Sequence, residues 1–499
     1  MHPLVYEINT RCWLWGLSQS AGRPLTLAEI PNEQFEFWRE LGFTHVWLMG
    51  VWRAGERARA HSLKLAELKQ SGLPFADEDV AGSPYAIAEY RVSPSLGGES
   101  GLRAFREKLA GYGMRLILDF VPNHLGHDHP WLEQRPDLFV RSRLKRLDTF
   151  PCETAKGSRW LAYGKDPYMG AWNDTVQLDY RNPATRQAML EQLQRVAGLC
   201  DGVRCDMAML VLNDVFAKTW KEFHSTFSPA PVEFWAEAIQ EVRAQFPGFL
   251  FLAEVYWGLE TRLQALGFDF TYDKRLYDHL VAKDAAAVQR HLLSASEEFL
   301  ARGTHFLENH DEPRVASLLS APEQQAAALV ILGLPGMCLL HEGQLTGARQ
   351  RLSVHLARRR LEPEQSEIAR FYGEVLKQIQ QTSVRRGRAS LLQPREAWPG
   401  NPTASNFVVI QWTLRENEFD LVVVNLAAHP SQCYVDLTGR DRSPVAARTP
   451  DTWEMKNILG PERFLRDNAD LMRSGLYLDV PAHGAQLFRF VLASSRRTG

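Results

Sequence analysis

The feature that most limits the possible folds of this chain is a regular alternation of two kinds of segment. Short apolar strand-like runs alternate with amphipathic helix-like stretches, such as 101–110 and 185–197, through the first three quarters of the 499 residues. This order is typical of a parallel sheet covered by helices. Eight strand-like runs occur, at 5–10, 44–49, 115–120, 202–206, 249–254, 268–272, 304–307 and 336–341. The pattern therefore predicts an α/β fold with a closed (β/α)₈ barrel.

Two connections are longer than a barrel needs, at 51–88 and at 125–180. Long connections between a strand and the following helix commonly build a site or a small subdomain. Near residue 383 the pattern changes to alternating strands separated by turn residues. We therefore predict a barrel formed by residues 1–124 and 181–382, an inserted domain at 125–180, and a C-terminal all-β sandwich at 383–499.

Composition excludes some partners. The chain has 57 Lys and Arg against 59 Asp and Glu, and this balance provides no long-range field for nucleic acid or acidic lipid. No uncharged apolar run approaches the roughly 20 residues that cross a bilayer, and the first residues do not resemble a secretory signal. The 6 cysteines lack metal-type spacing and are expected to be reduced. We expect a cytoplasmic protein, with its oligomeric state left open.

The chemical signal lies at the ends of the predicted strands. The third run leads into Asp119, Asn123 and His124, and the fourth ends in Arg204 and Asp206. Residues two apart on a strand point to one face, so the guanidinium should lie beside the carboxylate and lower its pKa. An ionised carboxylate can act as a nucleophile. Taken alone, this pair is equally well a structural ion pair, and Asp119 is equally well a group that fixes the loop through backbone hydrogen bonds.

Two later strands end in further acids. The fifth run closes with Glu254 next to aromatic residues, where burial would raise the carboxyl pKa and hold a proton for donation. The seventh leads into Glu308, His310 and Asp311. Each histidine alone could be a satisfied buried polar group, but a barrel brings all four strand ends to one mouth. One ionised and one protonated carboxyl across a sugar carbon are what glycoside hydrolysis or transfer needs, without a metal or redox cofactor.

These segments together resemble glycoside hydrolase family 13, the α-amylase family, over nearly the whole chain. Segments 119–124, 202–206 and 308–311 and the residue Glu254 are similar to its four conserved segments, in the same order. The resemblance implies that Asp206 is the nucleophile, that Glu254 is the acid/base, and that Asp311 holds the hydroxyls of the distorted sugar, with retention of the α-configuration. The reacting glucose would be bound by Arg204, His124, His310, Tyr85 and Asp119. The insertion would be the family's B domain and the C-terminal sandwich its C domain.

Departures from the family pattern affect the acceptor side and the metal. Met209 and Leu210 replace a frequent Lys-His pair, so acceptor binding must differ. The structural calcium of the family uses the amide of Asn123 and a B-domain aspartate, and our alignment places Gln177 at the aspartate position. Fewer carboxylates weaken a calcium site. A structural calcium is therefore possible but not favoured, although Asp174 or Asp179 could supply a carboxylate if the loop runs differently.

The leading interpretation is a retaining α-glucoside hydrolase acting on α-glucans or maltooligosaccharides. The alternative is a transglycosylase of the same family, either a glucanotransferase or a sugar isomerase. Only the acceptor separates these two, and barrel motifs do not encode it. A binding protein built on an inactive barrel would have lost at least one catalytic carboxylate, whereas Asp206, Glu254 and Asp311 are all present.

Overall fold

The computed structural model describes residues 2–65, 68, 76–154, 157–227, 230–415, 418–438, 445 and 452–493. Eight parallel strands close into a barrel, in which each strand pairs with its neighbours in chain order and the last pairs with the first. We number them β1 to β8. They are Leu4–Asn9, His45–Met49, Arg115–Phe120, Gly202–Cys205, Leu250–Ala253, Phe270–Tyr272, Gly303–His305 and Met337–His341. The predicted barrel is confirmed, and the strand ends differ from the predicted ones by at most two residues.

Successive side chains along each barrel strand point alternately outward and inward, so the barrel strands contribute to two separate hydrophobic cores. In β1, Leu4, Tyr6 and Ile8 pack outward with the surrounding helices, whereas Val5 belongs to the cluster inside the barrel. The interior cluster is formed by apolar side chains from most of the strands, including Trp47, Met49, Ile117, Leu250, Leu252, Tyr272, Met337 and Leu339. The barrel is therefore a filled core, and a ligand can be bound only at its ends.

Helices follow the barrel strands and cover their outer faces. Pro183 occupies the first turn of the helix after the insertion, and the Asn182 side chain caps that helix by accepting from the Ala184 amide. The α-helices up to β5 are Thr10–Ala21, Asn32–Glu40, Glu56–Ser62, Gly98–Gly111, Trp131–Gln134, Pro183–Ala197, Asn213–Thr219 and Phe234–Gln245. Those after β5 are Glu260–Ala265, Lys274–Val281, Ala285–Ser294, Glu297–Ala301, Val315–Leu318, Ala321–Gly333, Ser366–Ile379 and Asn468–Ser474. The 3₁₀ turns are Leu27–Glu29, Asp77–Asp79, Pro94–Leu96, Pro136–Leu138, Ala208–Val211, Gln344–Thr346 and Pro402–Asn406.

The long connection after β3 forms small sheets of its own. His124–Gly126 pairs antiparallel with Thr175–Gln177, and a three-stranded sheet contains Arg141–Ser142, Gly157–Ala162 and Thr149–Thr154 in that order. In the connection after β2, Trp52–Ala54 pairs with Ile87–Val92. The two connections meet closely at Gly126, where a Cβ atom would lie 2.5 Å from the Ala86 carbonyl oxygen. A side chain at that position would push these two connections apart.

The C-terminal region is an all-β sandwich. A six-stranded sheet runs in the order Arg388–Leu392, Phe407–Arg415, Glu418–Asn425, Ala485–Leu492, Thr452–Asn457 and Arg463–Asp467. A three-stranded sheet runs in the order Pro394–Glu396, Ser431–Val435 and Leu476–Val480. Residues of both sheets share one buried cluster, to which Phe407, Trp453 and Leu478 belong. The predicted C-terminal sandwich is therefore confirmed.

The helix Ala321–Gly333 joins the barrel to this sandwich. Its second half is buried on all sides, and the Trp412 indole donates to the Gly333 carbonyl at 2.7 Å. A Cβ atom at Gly333 would lie 2.8 Å from the Val422 side chain, so the helix and the sheet approach closely. Among the described residues, no helix is long and apolar enough to cross a membrane.

Candidate active site

Four strand ends meet at the C-terminal mouth of the barrel and carry most of the predicted site residues. Asp206 follows β4 directly and Glu254 follows β5 directly. Backbone hydrogen bonds fix both positions, because the Asp206 amide donates to the Phe120 carbonyl at 2.8 Å and the Glu254 amide donates to the Cys205 carbonyl at 3.0 Å. The two carboxylates are therefore held by the ends of adjacent strands.

Arg204 contacts both of these carboxylates. Its Nη1 lies 2.6 Å from Oδ1 of Asp206, and its Nη2 lies 2.7 Å from Oε2 of Glu254. The guanidinium is fully buried, and Asp206 and Glu254 are 6% and 4% exposed. The expected pairing of Arg204 with Asp206 is present, and the same cation also fixes the second acid, which the strand spacing did not indicate.

The electrostatic balance at Asp206 differs from the expectation based on its arginine neighbour alone. Burial raises the pKa of Asp206 above its ordinary value, Arg204 acts in the opposite direction, and the charge of Glu254 raises the pKa further. The expectation that Arg204 leaves Asp206 with a lowered pKa was wrong, because desolvation outweighs the cation. Arg204 still offsets a large part of the cost of a buried carboxylate.

Glu254 has a different partner on each oxygen. Besides Arg204, the Met207 amide donates to Oε2 at 2.7 Å, while the Tyr256 hydroxyl contacts Oε1 at 2.8 Å. Met207 adopts φ 42°, in the left-handed region that side chains rarely occupy, and this turn directs its amide to the carboxylate. Oε2 is thus held by two donors, whereas Oε1 contacts only the Tyr256 hydroxyl among the described residues.

The end of β7 brings Asp311 and His310 to the same mouth. His310 Nδ1 lies 2.5 Å from Oε1 of Glu7, and its Nε2 lies 3.1 Å from Oδ2 of Asp311. Burial disfavours the charged imidazole, but Asp311 and Glu7 outweigh it and raise the pKa of His310 to about 10. The resulting imidazolium, with Arg204, holds the pKa of Asp311 well below its usual range. The Asp311 side chain is 43% exposed and faces the opening.

Aromatic rings surround the cation at the base of the mouth. The Arg204 guanidinium carbon lies 5.3 Å from the Tyr85 ring centre, 5.4 Å from that of Trp47 and 5.8 Å from that of Tyr272. Tyr85 also stacks on His310 with ring centres 5.4 Å apart, and its hydroxyl lies 2.6 Å from Nε2 of that histidine. Tyr85 therefore belongs to the site and is placed to contact a sugar ring.

His124 and Asp119 lie next to these groups. Burial lowers the pKa of His124 to about 3, so its ring is neutral, and it hydrogen-bonds the Tyr85 backbone. Asp119 accepts from the Trp47 indole at 3.1 Å and from the Gly50 amide at 2.9 Å, and burial raises its pKa to about 6. Both Asp119 oxygens are thus used to hold the end of β2. This agrees with the alternative interpretation, in which Asp119 fixes a loop through hydrogen bonds.

Several residues of the site were not found by the sequence reasoning. Glu7 is fully buried within β1 and charges His310, while Trp47, Tyr256 and Tyr272 contact the catalytic groups. A signal for Glu7 was available, because a carboxylate inside an apolar strand needs a buried partner. Trp47 and Tyr272 carried no comparable signal, since aromatic residues in strands usually pack in cores, and Tyr256 was noted only as an aromatic neighbour of Glu254.

The residues of the expected calcium site bond to each other. The Gln177 amide nitrogen donates to Oδ1 of Asn123 at 3.0 Å and to the Asn123 carbonyl at 2.9 Å. Asp179, one of the two carboxylates that could have replaced the missing ligand, is paired with Arg181 at 2.7 Å. In the part of the chain that the structure describes, no three or more His, Cys, Asp or Glu side chains group together in a way that could hold a metal ion. Asn123, Gln177 and Asp179 therefore do not offer the free oxygens, preferably carboxylates, that a calcium ion needs, and Asp174 stays the alternative carboxylate.

The Glu7–His310 contact leads to a prediction about protonation. In Glu7→Gln the His310 pKa should fall from about 10 toward its ordinary value, because one of two flanking anions is removed. Since the folded pKa is raised, the stabilisation from this group is present below pH about 6.5 and is lost as pH rises toward 10. Titration of the imidazole by NMR measures the shift. Glu312→Gln, two residues from His310, is the control, and a pKa that stays near 10 in Glu7→Gln would contradict the assignment.

The chain is similar to known proteins along most of its length. The model of the α-amylase catalytic domain matches residues 32–457. An α-amylase (MalA) of Haloarcula japonica is 27% identical over 56% of this chain and 38% of its own length, and maltase 1 of Drosophila virilis is 24% identical over 69% and 58%. The chain thus spans less than two thirds of the length of either relative.

A solved structure shares the whole architecture. The maltogenic α-amylase AmyB of Thermotoga neapolitana superposes with a TM-score of 0.68 at 19% identity, over 98% of this chain and 99% of that one. Similarity at this level of identity shows the fold alone. The family follows from the matched catalytic-domain model together with the four strand ends that meet at the barrel mouth, and this chain belongs to the α-amylase family of glycoside hydrolases.

Proposed function

We propose that this protein is a retaining α-glucoside hydrolase that acts on α-glucans or maltooligosaccharides. The observation that carries the proposal is the pair of buried carboxylates, Asp206 and Glu254, that share one arginine at the barrel mouth. Contact with the two nitrogens of a single guanidinium keeps these carboxylates close. A retaining glycosidase needs a separation of roughly 5–5.5 Å, whereas inversion needs more room for a water.

The geometry supports a role for each group in the first step. Glu254 gives its proton from Oε1 to the glycosidic oxygen, while Asp206 attacks the anomeric carbon and the leaving group departs. Arg204 balances the charge of Asp206 before the attack and that of Glu254 after proton transfer. In the second step Glu254 takes a proton from water while the water oxygen attacks the anomeric carbon and the bond to Asp206 breaks. Two successive inversions leave the sugar with its original configuration.

Sugar binding at the reacting position falls to the groups around this pair. The Asp311 carboxylate accepts hydrogen bonds from sugar hydroxyls. Charged His310, whose ring nitrogens contact Glu7 on one side and Asp311 and Tyr85 on the other, holds that carboxylate in position. The Tyr85 ring provides the apolar face on which a pyranose stacks. These contacts position the ring so that the anomeric carbon faces Asp206.

Transfer to a sugar acceptor is the second candidate function, and one observation favours it. Three residues after Glu254, Trp257 is 42% exposed and contacts Tyr168 of the insertion, which is 63% exposed, with ring centres 4.9 Å apart. Met209 and Leu210, at the positions of the usual polar pair, are buried. An exposed aromatic pair beside the acid/base suits a sugar ring as acceptor better than water alone.

Substitution of the two carboxylates tests the proposed function. Asp206→Asn and Glu254→Gln should each lower turnover of maltooligosaccharides by a factor on the order of 10⁴ or more, because each removes an essential role in bond cleavage. The melting temperature should change little, because in each variant the amide keeps the shape of the acid and Arg204 keeps its ionic contact with the other carboxylate. Glu312→Gln, at the same mouth but outside the pair, provides the matched control. Near-normal kcat in either variant would refute the assignment.

We propose that no tightly bound calcium is needed. The mutual hydrogen bonds of Asn123 and Gln177 support this, because they use the amide oxygens that a cation would require. Extensive dialysis against a chelator should leave both kcat and the melting temperature almost unchanged. Elemental analysis that finds about one calcium per chain, with stability lost on chelation, would overturn the proposal.

We also propose a cytoplasmic location, with short maltodextrins, glycogen or related glucosides as substrates. All six cysteines are buried free thiols: Cys12, Cys152, Cys200, Cys205, Cys338 and Cys433. Unpaired thiols are usual in a reducing compartment, where disulfides are rare.

A further inference from the structure

Two loop segments join next to the catalytic mouth, and we call them the strap: residues 79–82, from the connection after β2, and residues 355–358, from the connection after β8. The Ala81 amide donates to the His355 carbonyl at 2.8 Å, and the Ala357 amide donates to the Asp79 carbonyl at 2.7 Å. Arg358 forms an ion pair with Asp79. Two connections that a barrel leaves independent are therefore tied together.

Residues of two helices hold the strap in place, the helix after β1 and the helix Glu56–Ser62. Arg11, in the helix after β1, donates to the Gly82 carbonyl at 3.0 Å, and the Cys12 thiol contacts the Leu356 carbonyl at 3.3 Å. On the outer side Arg59 donates to the Val80 carbonyl at 2.8 Å. Val80 and Leu356 are 1% and 3% exposed. These bonds fix the strap above the end of β1.

Both segments of the strap continue into the sugar site. Three residues beyond Gly82 lies Tyr85, which stacks on His310. On the other segment, the Arg351 charge helps to lower the pKa of Asp311. Through Tyr85 and Arg351, which follow and precede its two segments, the strap is linked to the position where the reacting sugar binds, on the side of β8, β1 and β2.

The acid/base defines the opposite side. Glu254 follows β5, which lies across the closed barrel from β1. Because this residue protonates the leaving oxygen, the leaving group extends on the β5 side, and the rest of the donor sugar points away from it. A glucan chain that continued beyond the donor sugar would have to pass the strap.

We propose that the strap closes the donor side, so that the enzyme removes a single terminal α-glucosyl residue from the non-reducing end of its substrate. This inference rests on the proposed function and specifies its substrate class: glucosides with a free non-reducing terminal glucose, cleaved from the end. Ala81 and Ala357 also line a cavity of about 630 Å³, which reaches Trp15 and Ser93 and touches none of the catalytic residues. We expect that opening the strap makes room for further sugar units beside this space.

The first test uses the wild-type enzyme and two substrates, reduced maltoheptaose and the same oligosaccharide with a 4,6-O-ethylidene block on its non-reducing glucose. The expected first products of the free substrate are glucose and the reduced hexaose, and the blocked substrate should react at least about a hundredfold more slowly. Early fragments of two to five units, or similar rates on both substrates, would overturn the inference and leave the proposed function standing. No cleavage of either substrate would refute the proposed function, and the inference with it.

The second test opens the strap. The double variant Ala357→Pro/Arg358→Ala removes the backbone hydrogen bond to Asp79 and the ion pair together. It should cleave the blocked substrate at least about tenfold faster than the wild type. Arg360→Ala, an exposed arginine with no ion pair among the described residues, is the control and should behave as the wild type. A folded double variant that stays inactive on the blocked substrate would contradict the role of the strap.

Discussion

The site depends on the Arg204 guanidinium, a cation that is fully buried at the end of β4. It lies within 2.7 Å of two carboxylates and has three aromatic rings around it, from Trp47, Tyr85 and Tyr272. Removing a charge from water costs several kcal/mol unless ionic partners and hydrogen bonds replace the hydration. Here the ionic contacts between the guanidinium and the two carboxylates replace the lost hydration of all three groups, so the three groups have to be buried together.

A second charged cluster lies across the mouth and complements the first. His310 is held as an imidazolium between Glu7 and Asp311, and it stacks on Tyr85, which also faces Arg204. The first cluster carries the reacting carboxylates, and the second presents polar groups for sugar hydroxyls. Glu7, Asp206 and Glu254 lie within or directly after barrel strands, whereas His310, Asp311 and Tyr85 lie in the connections that follow β7 and β2.

Much of this arrangement could be predicted because it depends on local patterns. Apolar runs between helices identify all eight barrel strands, and the acids at four strand ends identify the chemistry, since strand ends meet in a barrel. The balance of charge at Asp206 could not be predicted, because it depends on burial as well as on the neighbouring Arg204. Glu7 was missed because its partner His310 is distant in the sequence, and the strap was missed because loop pairing has no periodic signal.

The central claim is that Asp206 forms a covalent bond to the sugar. In the Glu254→Gln variant, an activated substrate such as α-glucosyl fluoride can still react with Asp206, but release by water is slow because no general base remains. Mass spectrometry of the quenched and digested variant measures the outcome directly. The account predicts one glucosyl group on the peptide that contains Asp206. A glucosyl group on another residue, or turnover of the fluoride without any covalent adduct, would contradict it.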